Sequence, residues 1–398
     1  MPYIDYNEDI VGRKTVIINP KIDLIKKANL TVFIFSTSWI INFFTNYLLR
    51  NKIEKFVSDT YKADDLKGPI FDYFVDTKTF DFSLWAENSM LNSTQDTIYN
   101  KVFIPLIDNI PYLYIAQIYI KLPDPIFYMG KPSTGKSLMI NKILNDLDKT
   151  KIYYYNLRYL VNYSSSSKKL DNFLSLKLEY VRKNLIGDLY DRKVILFIDD
   201  INHEKYDKFG TQSCIEYIRQ INSQKFIFDM KTNVYKKLNK FKSITCGNIS
   251  SQVKNHNLDR YLHSTLIINQ NNISDEGINS LFKPSLEAHL KNYIPNTCAI
   301  RSFQFVQVSL LTLTFVNDYL KPSPNRVHYK FSLRDISRIF QGIHFFKYEV
   351  GVTEDYSTNL VKLWFYETSR VFEDRLINKD DKKYFQENLL NIYNTFFK

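Results

Sequence analysis

The feature that most constrains this chain is a glycine-bounded loop between an apolar run and an amphipathic segment. The loop reads Gly-Lys-Pro-Ser-Thr-Gly-Lys-Ser over residues 130–137 and follows the apolar run 126–129. This spacing matches the motif G-x-x-x-x-G-K-[ST], and the flanking pattern predicts the strand and the helix that the motif requires. Glycines let backbone N–H groups close on phosphate oxygens, and the helix N-terminus adds a partial positive charge. The loop therefore predicts a site for nucleotide phosphates.

Individual residues of the loop are expected to contact different groups of the bound nucleotide. Lys136 is expected to reach the β- and γ-phosphates, and Ser137 to ligate Mg²⁺. A chance match is the alternative, but a chain of 398 residues with only 10 glycines makes it rare. The predicted nucleotide contacts in and beside the loop are Gly130, Lys131, Pro132, Ser133, Thr134, Gly135, Lys136, Ser137 and Leu138.

A second acidic segment is expected to complete the site. Residues 194–198 are apolar and are followed by Asp199 and Asp200. A buried strand delivers such acids at its carboxyl end, where open α/β sheets bind ligands. We expect Asp199 to hold Mg²⁺, directly or through water, and Asp200 to polarise the attacking water. The alternative is a buried strand that ends in a helix-capping aspartate.

The wider pattern predicts an α/β domain followed by a helical domain. Further strands are predicted at 152–155, 243–248 and 266–268, with a helix at 170–184 between them. Strands that alternate with helices indicate a parallel, three-layered sheet. After residue 274 the pattern is helical only, with predicted helices at 276–282, 302–319, 333–346, 359–376 and 382–397. Residues 31–44 are predicted to form a buried helix, because the run is too short to span a membrane.

Composition narrows the partners. The hydrophobic content of 44% is enough for a large core, and the length of 398 residues suggests two or three domains. The net charge is +11, but the lysines are dispersed, which favours a solvated surface over a nucleic-acid patch. Three separated cysteines form no C-x-x-C pair, and the N-terminus has no secretory pattern. We therefore expect no nucleic-acid partner, no membrane partner and a reducing compartment.

The order of these features resembles an AAA+ ATPase module of a dynein heavy chain. Residues 198–202, 208–212 and 217–220 resemble the stretch after the acidic strand in dyneins, and 328–342 and 363–376 resemble the third AAA+ module. The resemblance runs, with gaps, from about Phe33 to Phe385. It implies a helical lead-in at 1–65, similar to the end of a preceding module or linker. It also implies a large α/β nucleotide-binding domain at 66–272 and a helical small domain at 273–398.

The family implies roles for further residues. Asn248 resembles the first sensor, which positions the attacking water, and Arg334 resembles the second sensor, which reaches the phosphates. Arg260 resembles the arginine that faces the nucleotide of a neighbouring module. Ile104 and Pro105, with Asp108 nearby, resemble the adenine-side lead-in. The structural alternatives are a turn residue for Asn248, a surface ion pair for Arg260 and a helix N-terminal pair for Arg334 and Asp335.

The resemblance implies an ATP/ADP and Mg²⁺ site in a module that gates a minus-end-directed microtubule motor. Its implied partners are the neighbouring modules of the same heavy chain, microtubules, and intermediate and light chains. The implied location is the cytoplasmic cytoskeleton or the axoneme of a cilium. Ser133 replaces the usual glycine, Asp200 replaces the usual glutamate and His263 replaces a second arginine, so slow hydrolysis is expected. The alternatives are a free-standing AAA+ ATPase and a module that holds nucleotide without turnover.

Overall fold

The computed structural model describes residues 20–44, 50–61, 68–76, 79–87, 104–148, 153–229, 234–248, 256–291, 298–345 and 356–397. The chain divides into two compact units, Met1–Asn88 and Ser89–Lys398. The predicted boundaries near residues 65 and 272 stay predictions.

The first unit packs helices and a small hairpin around aromatic side chains. Its elements are α1 (Pro20–Phe44), α2 (Arg50–Tyr61), β1 (Tyr73–Val75) and β2 (Phe82–Leu84), and β1 pairs antiparallel with β2. Trp85 is buried and donates its indole N–H to the Phe71 carbonyl at 3.1 Å. The prediction that 31–44 is a buried helix is wrong for one face. Trp39 is buried, whereas Phe33 and Ile40 are 54% and 47% exposed, because one helix can turn only one stripe toward a core.

The second unit is built on a parallel sheet. Its strands in chain order are β3 (Ile126–Gly130), β4 (Tyr154–Leu160), β5 (Glu179–Arg182), β6 (Leu185–Gly187), β7 (Lys193–Asp199), β8 (Phe226–Asp229), β9 (Val234–Leu238), β10 (Phe241–Gly247) and β11 (Leu266–Gln270). Five of them form a sheet in the order β11-β3-β10-β7-β4, with parallel pairing throughout. The apolar residues 194–198 of β7 are all buried, as a strand covered on both faces requires.

Helices flank this sheet: α3 (Ile110–Lys121), α4 (Lys136–Asp148), α5 (Ser167–Lys177), α6 (Ser213–Gln224) and α7 (His256–Leu262). The Ser166 side chain caps α5 by accepting from the backbone N–H of Lys169. The carboxyl ends of all five strands lie at one edge because the strands are parallel. The predicted parallel α/β sheet is therefore confirmed.

A second sheet was not predicted. The strands β5, β6, β9 and β8 form a four-stranded sheet in that order. The predicted helix at 170–184 is wrong beyond Lys177, since Glu179–Arg182 leaves the helix and pairs antiparallel with Leu185–Gly187. The backbone N–H of Leu178 closes the helix on the Leu174 carbonyl, and the chain is extended from that residue on. Strand pairing there outweighs the local helical pattern.

After β11, the described part of the second unit contains helices and no strand, as predicted. Its helices are α8 (Asp275–Leu290), α9 (Cys298–Tyr319), α10 (Leu333–Phe345), α11 (Tyr356–Phe372) and α12 (Lys379–Phe397). Trp364 is completely buried in their shared core and donates its indole N–H to Ser309 Oγ at 2.9 Å. Among the described helices, none combines the length and the apolar character that a membrane crossing needs.

Candidate nucleotide-binding site

The loop 130–137 connects β3 to α4 at the edge where the strands end. Gly130 lies beside β11, and a Cβ there would stand 2.9 Å from the Gln270 carbonyl oxygen. Gly135 has a φ of +87°, in the region that favours glycine. Ser133 also has a positive φ, of +67°, although it carries a side chain. The loop therefore keeps the glycine backbone that phosphate binding requires and adds one strained residue.

Lys136 lies in the mouth of the loop. Its Nζ donates to the Gly130 carbonyl at 2.9 Å and to the Lys131 carbonyl at 2.6 Å. Burial lowers the pKa of Lys136, while the charges of Asp200 and Asp199 act to raise it. The ammonium group is thus held by two carbonyls of the loop, and its pKa responds to the two acids that were predicted to share its site.

The predicted magnesium ligands contact each other. Ser137 Oγ donates to Asp199 Oδ1 at 3.0 Å, which joins the first turn of α4 to the end of β7. Burial raises the pKa of Asp199, and the hydrogen bond from Ser137 opposes that rise. A hydroxyl and a carboxylate side by side are oxygen ligands of the kind that Mg²⁺ prefers. The residues present therefore fit a magnesium ion held next to nucleotide phosphates.

Asp200 and Asn248 follow neighbouring strands of this edge. Asp200 has a φ of +55°, and its exposed side chain lies 4.0 Å from the Nε2 of His203. Asn248 follows β10 and is exposed. Its backbone N–H donates to Asn202 Oδ1 at 3.1 Å, and the Asn202 amide donates to the Asn248 carbonyl. Asn202 was not singled out by the sequence, although it stands only three residues after Asp199.

The two arginines lie in different surroundings. Arg334 is the second residue of α10, and its charge acts on Lys136, lowering the pKa of that lysine. The structure thus brings Arg334 of the helical part within electrostatic reach of the loop. Arg260 is in α7, with 64% of its side chain exposed, and its ionic partner in the described chain is Glu216 at 3.5 Å. Arg260 is therefore not part of this loop's own contacts.

The lead-in 104–109 is tied to the start of the helical region. Ile104 is half-buried and Pro105 is buried. Asp108 Oδ2 accepts from the backbone N–H of Ser274 at 2.8 Å and from its hydroxyl at 2.7 Å. The Ser274 side chain also accepts from Gly277 N–H and so caps α8. The segment predicted to lie beside adenine is thereby fastened to the first helix after the sheet.

Gln270 is a further site residue that was not predicted. It ends β11 and is buried, and its Nε2 donates to the Thr134 carbonyl at 2.9 Å and to Asn109 Oδ1 at 2.8 Å. A signal was available, since Gln270 stands two residues after the strand predicted at 266–268, and polar residues at or near the ends of predicted strands also indicated Asp199 and Asn248. Cys246, buried near the end of β10, was also not predicted as a site residue, and burial raises the pKa of its thiol.

Comparison with known proteins places these features in one family. The family model described as a P-loop containing dynein motor region matches residues 91–273, and an AAA+ lid domain model matches residues 306–398. Together the two matches cover more than half of the chain.

Curated relatives agree. The chain is 29% identical over 362 residues to dynein heavy chain-like protein 2 of Plasmodium falciparum. This match covers 88% of this chain and 7% of the relative. It is 27% identical to human dynein axonemal heavy chain 12, over 80% of this chain and 10% of the relative. It is also 27% identical to the dynein-1-alpha heavy chain of the flagellar inner arm I1 complex of Chlamydomonas reinhardtii, over 80% of this chain and 7% of the relative.

The chain therefore spans about a tenth or less of the length of these relatives. The two ranges matched by the family models contain the phosphate loop, the acidic strand end and most of the helical region described above. The chain belongs to the dynein heavy-chain family of AAA+ P-loop modules.

Proposed function

We propose that this chain binds MgATP at the loop 130–137 and hydrolyses it slowly. The observation that carries the proposal is the 3.0 Å hydrogen bond from Ser137 to Asp199, because it joins the two halves of one phosphate and metal site. In this arrangement the backbone of the loop surrounds the phosphates and Lys136 exchanges its loop carbonyls for phosphate oxygens. Ile104 and Pro105 line the adenine side.

The residues around the γ-phosphate position supply the chemistry. Ser137 and Asp199 would hold Mg²⁺, which neutralises phosphate charge when it is bound. Asp200 accepts a hydrogen bond from the attacking water, and Asn248 orients that water. Arg334 reaches the phosphates from the helical part. Arg260, exposed on α7, serves the nucleotide of a neighbouring module.

At the level of the whole protein, we propose that the chain is the third module of a dynein motor ring. Two of the relatives named above carry axonemal or flagellar names, which supports a cytoskeletal location. In that setting its nucleotide state gates the ring, and neighbouring modules, microtubules and intermediate and light chains are its partners. An immunoblot of cell extract with an antibody to α10 tests this, since a band near 47.3 kDa would contradict it and a far larger band would support it.

A module that holds nucleotide without turnover is a second candidate. Two features favour this candidate. Ser133 has a positive φ at a position where the family usually has glycine, and Asp200 has a shorter side chain than the usual glutamate. Steady-state hydrolysis that is lost in Asp200→Asn, with MgATP still bound, would contradict this candidate.

The binding site itself is tested by Lys136→Ala. We expect this variant to lose MgATP binding in equilibrium titration, because the side chain that faces the phosphates is gone. The matched control is Lys142→Ala on the same helix, where the lysine pairs with Asp146 at the surface. Unchanged affinity in Lys136→Ala would overturn the assignment of the site.

A further inference from the structure

Gln270 occupies the position where three parts of the site meet. In the parallel register of β11 and β3 it stands opposite Gly130, the first residue of the phosphate loop. It is the last residue of β11, and α8 begins at Asp275 after a short connection. The residue is 2% exposed, so its amide group contacts other groups of the protein rather than solvent.

The amide orientation of Gln270 is fixed by its neighbours. Nε2 lies 2.9 Å from the Thr134 carbonyl oxygen, which can only accept a hydrogen bond. A reversed amide would place Oε1 against that oxygen and close to Asn109 Oδ1, so two or three acceptors would face each other. In the described parts of the chain Oε1 has no hydrogen-bond partner, so the contacts of the amide group are those of Nε2.

The two acceptors belong to different halves of the site. Thr134 is in the phosphate loop, where its hydroxyl also donates to the Lys131 carbonyl at 3.0 Å. Asn109 ends the adenine-side lead-in, is 5% exposed, and starts α3 by accepting from Leu113 N–H through its carbonyl. One buried NH₂ group therefore uses its two hydrogens to join the phosphate half to the base half.

We infer that Gln270 is a positioning residue that couples the phosphate half of the nucleotide site to its adenine half. The inference rests on the proposed function, because it assumes that nucleotide binds at this loop. When phosphates order the loop, the Gln270 bridge also orders Asn109 and the lead-in, so the base enters a prepared site. Without the bridge each half must be ordered separately.

The test compares MgATP with inorganic tripolyphosphate in the presence of Mg²⁺. Tripolyphosphate contacts only the loop side, whereas ATP uses both halves. Gln270→Met keeps the length of the side chain and removes the amide. Because both hydrogen bonds of the amide are lost, we expect ATP affinity to fall about tenfold or more and tripolyphosphate affinity to fall clearly less. Asn222→Leu is the matched control, since it removes another buried amide, bonded to Ser243, far from the loop in sequence.

A second variant breaks the bridge from its other end. Asn109→Leu leaves the bond from Gln270 to Thr134 in place, so we expect weaker ATP binding and unchanged tripolyphosphate binding. In the double variant with Gln270→Met, the loss should be no larger than in Gln270→Met alone, because the two residues share one bridge. If Gln270→Met does not fold, Asn109→Leu alone still tests whether the two halves of the site are coupled.

Each remaining outcome is decisive. Equal losses for ATP and tripolyphosphate in Gln270→Met would overturn the coupling and leave Gln270 as a local support of the loop. Unchanged affinities in both variants would overturn the inference while the proposed function stands. Wild-type protein that binds neither ligand would overturn the proposed function, and the inference with it.

Discussion

Asn202 holds both backbone groups of Asn248, because its Oδ1 accepts from the Asn248 N–H at 3.1 Å and its amide donates to the Asn248 carbonyl. The contact crosses from the segment after β7 to the end of β10. Gly247 makes room for it, since a Cβ on that residue would touch Asn202 Oδ1 and stand 3.0 Å from Ile201 Cγ2. The direction in which the Asn248 side chain leaves the sheet is thus set by a neighbour.

We expect Asn202→Ala to slow ATP hydrolysis by about tenfold without weakening MgATP binding, because the group that orients Asn248 is lost but the phosphate loop is untouched. Asn202→Asp keeps the acceptor for the Asn248 N–H and should lie between wild type and Asn202→Ala. Single-turnover hydrolysis and equilibrium titration measure the two effects separately. A parallel loss of affinity in Asn202→Ala would contradict a role limited to positioning.

Ser133 leads to a prediction about the loop itself. A left-handed backbone costs a residue with a Cβ roughly 1 kcal/mol, and Ser133 has a φ of +67°. We expect Ser133→Gly to tighten MgATP binding a few-fold, because the loop can close on the phosphates without that strain. Ser133→Val should weaken binding and lower the melting temperature, since a β-branched side chain tolerates this conformation poorly. If Ser133→Gly binds more weakly, the serine side chain itself contributes to the site.

The sequence was sufficient for the parts of the site that are local. The loop 130–137 and the pair Asp199 and Asp200 could be predicted because a strand, a turn and a helix N-terminus each have a short-range pattern. The parallel direction of the strands could be predicted, since strands and helices alternate along the chain. These predictions needed no knowledge of which distant residues meet.

What the sequence did not predict depends on distant contacts. The helix predicted to reach residue 184 ends at Lys177, because Leu185 and Ile186 pair with Lys237 and Leu238 in a second sheet. The bridge from Gln270 to Asn109 joins residues 161 positions apart, and its partner at Thr134 is a backbone oxygen that has no sequence signature. Local periodicity contains neither kind of information.

We predict that substitution of Asp335 destabilises the helical part of the second unit. Its side chain is 3% exposed, its Oδ2 accepts from Ser332 N–H at 2.8 Å, and its Oδ1 lies 3.1 Å from both Arg338 and Arg375. Asp335→Ala removes the acceptor of the Ser332 N–H at the start of α10 and leaves the partly buried Arg375 without this ionic partner. We expect a loss of about 3 kcal/mol in the free energy of unfolding, measured by denaturant titration. The helix that presents Arg334 should loosen with it.

The matched control for Asp335 is Asp380→Ala in the first turn of α12. Asp380 is exposed, so only its interaction with the helix dipole is lost, and we expect a change below about 1 kcal/mol. Equal effects of the two substitutions would show that the buried cluster around Asp335 contributes no more than an exposed helix-end charge.

The burial of Lys242 leads us to predict that the stability of the protein depends on pH. It is 1% exposed in β10, and its Nζ donates to the Leu122 carbonyl at 2.8 Å and to the Tyr119 carbonyl at the end of α3. Burial, together with the charges of Lys193 and Lys225 and against the opposing charge of Asp124, lowers the pKa of Lys242 to about 7. Between that value and the ordinary 10.5, the unfolded chain binds a proton that the folded chain does not.

The free energy of unfolding contributed by this lysine should therefore rise with pH above about 7. One titrating group changes the free energy of unfolding by at most about 1.4 kcal/mol per pH unit. From pH 7 to 9 we therefore expect the free energy of unfolding of wild type to rise, relative to that of Lys242→Met, by about 1 kcal/mol per pH unit. Denaturant titrations at pH 7, 8 and 9 measure the difference. Lys237→Met, at an exposed position of β9, is the control and should follow the wild-type profile. A difference between wild type and Lys242→Met that does not change with pH would mean that Lys242 stays protonated in the folded protein.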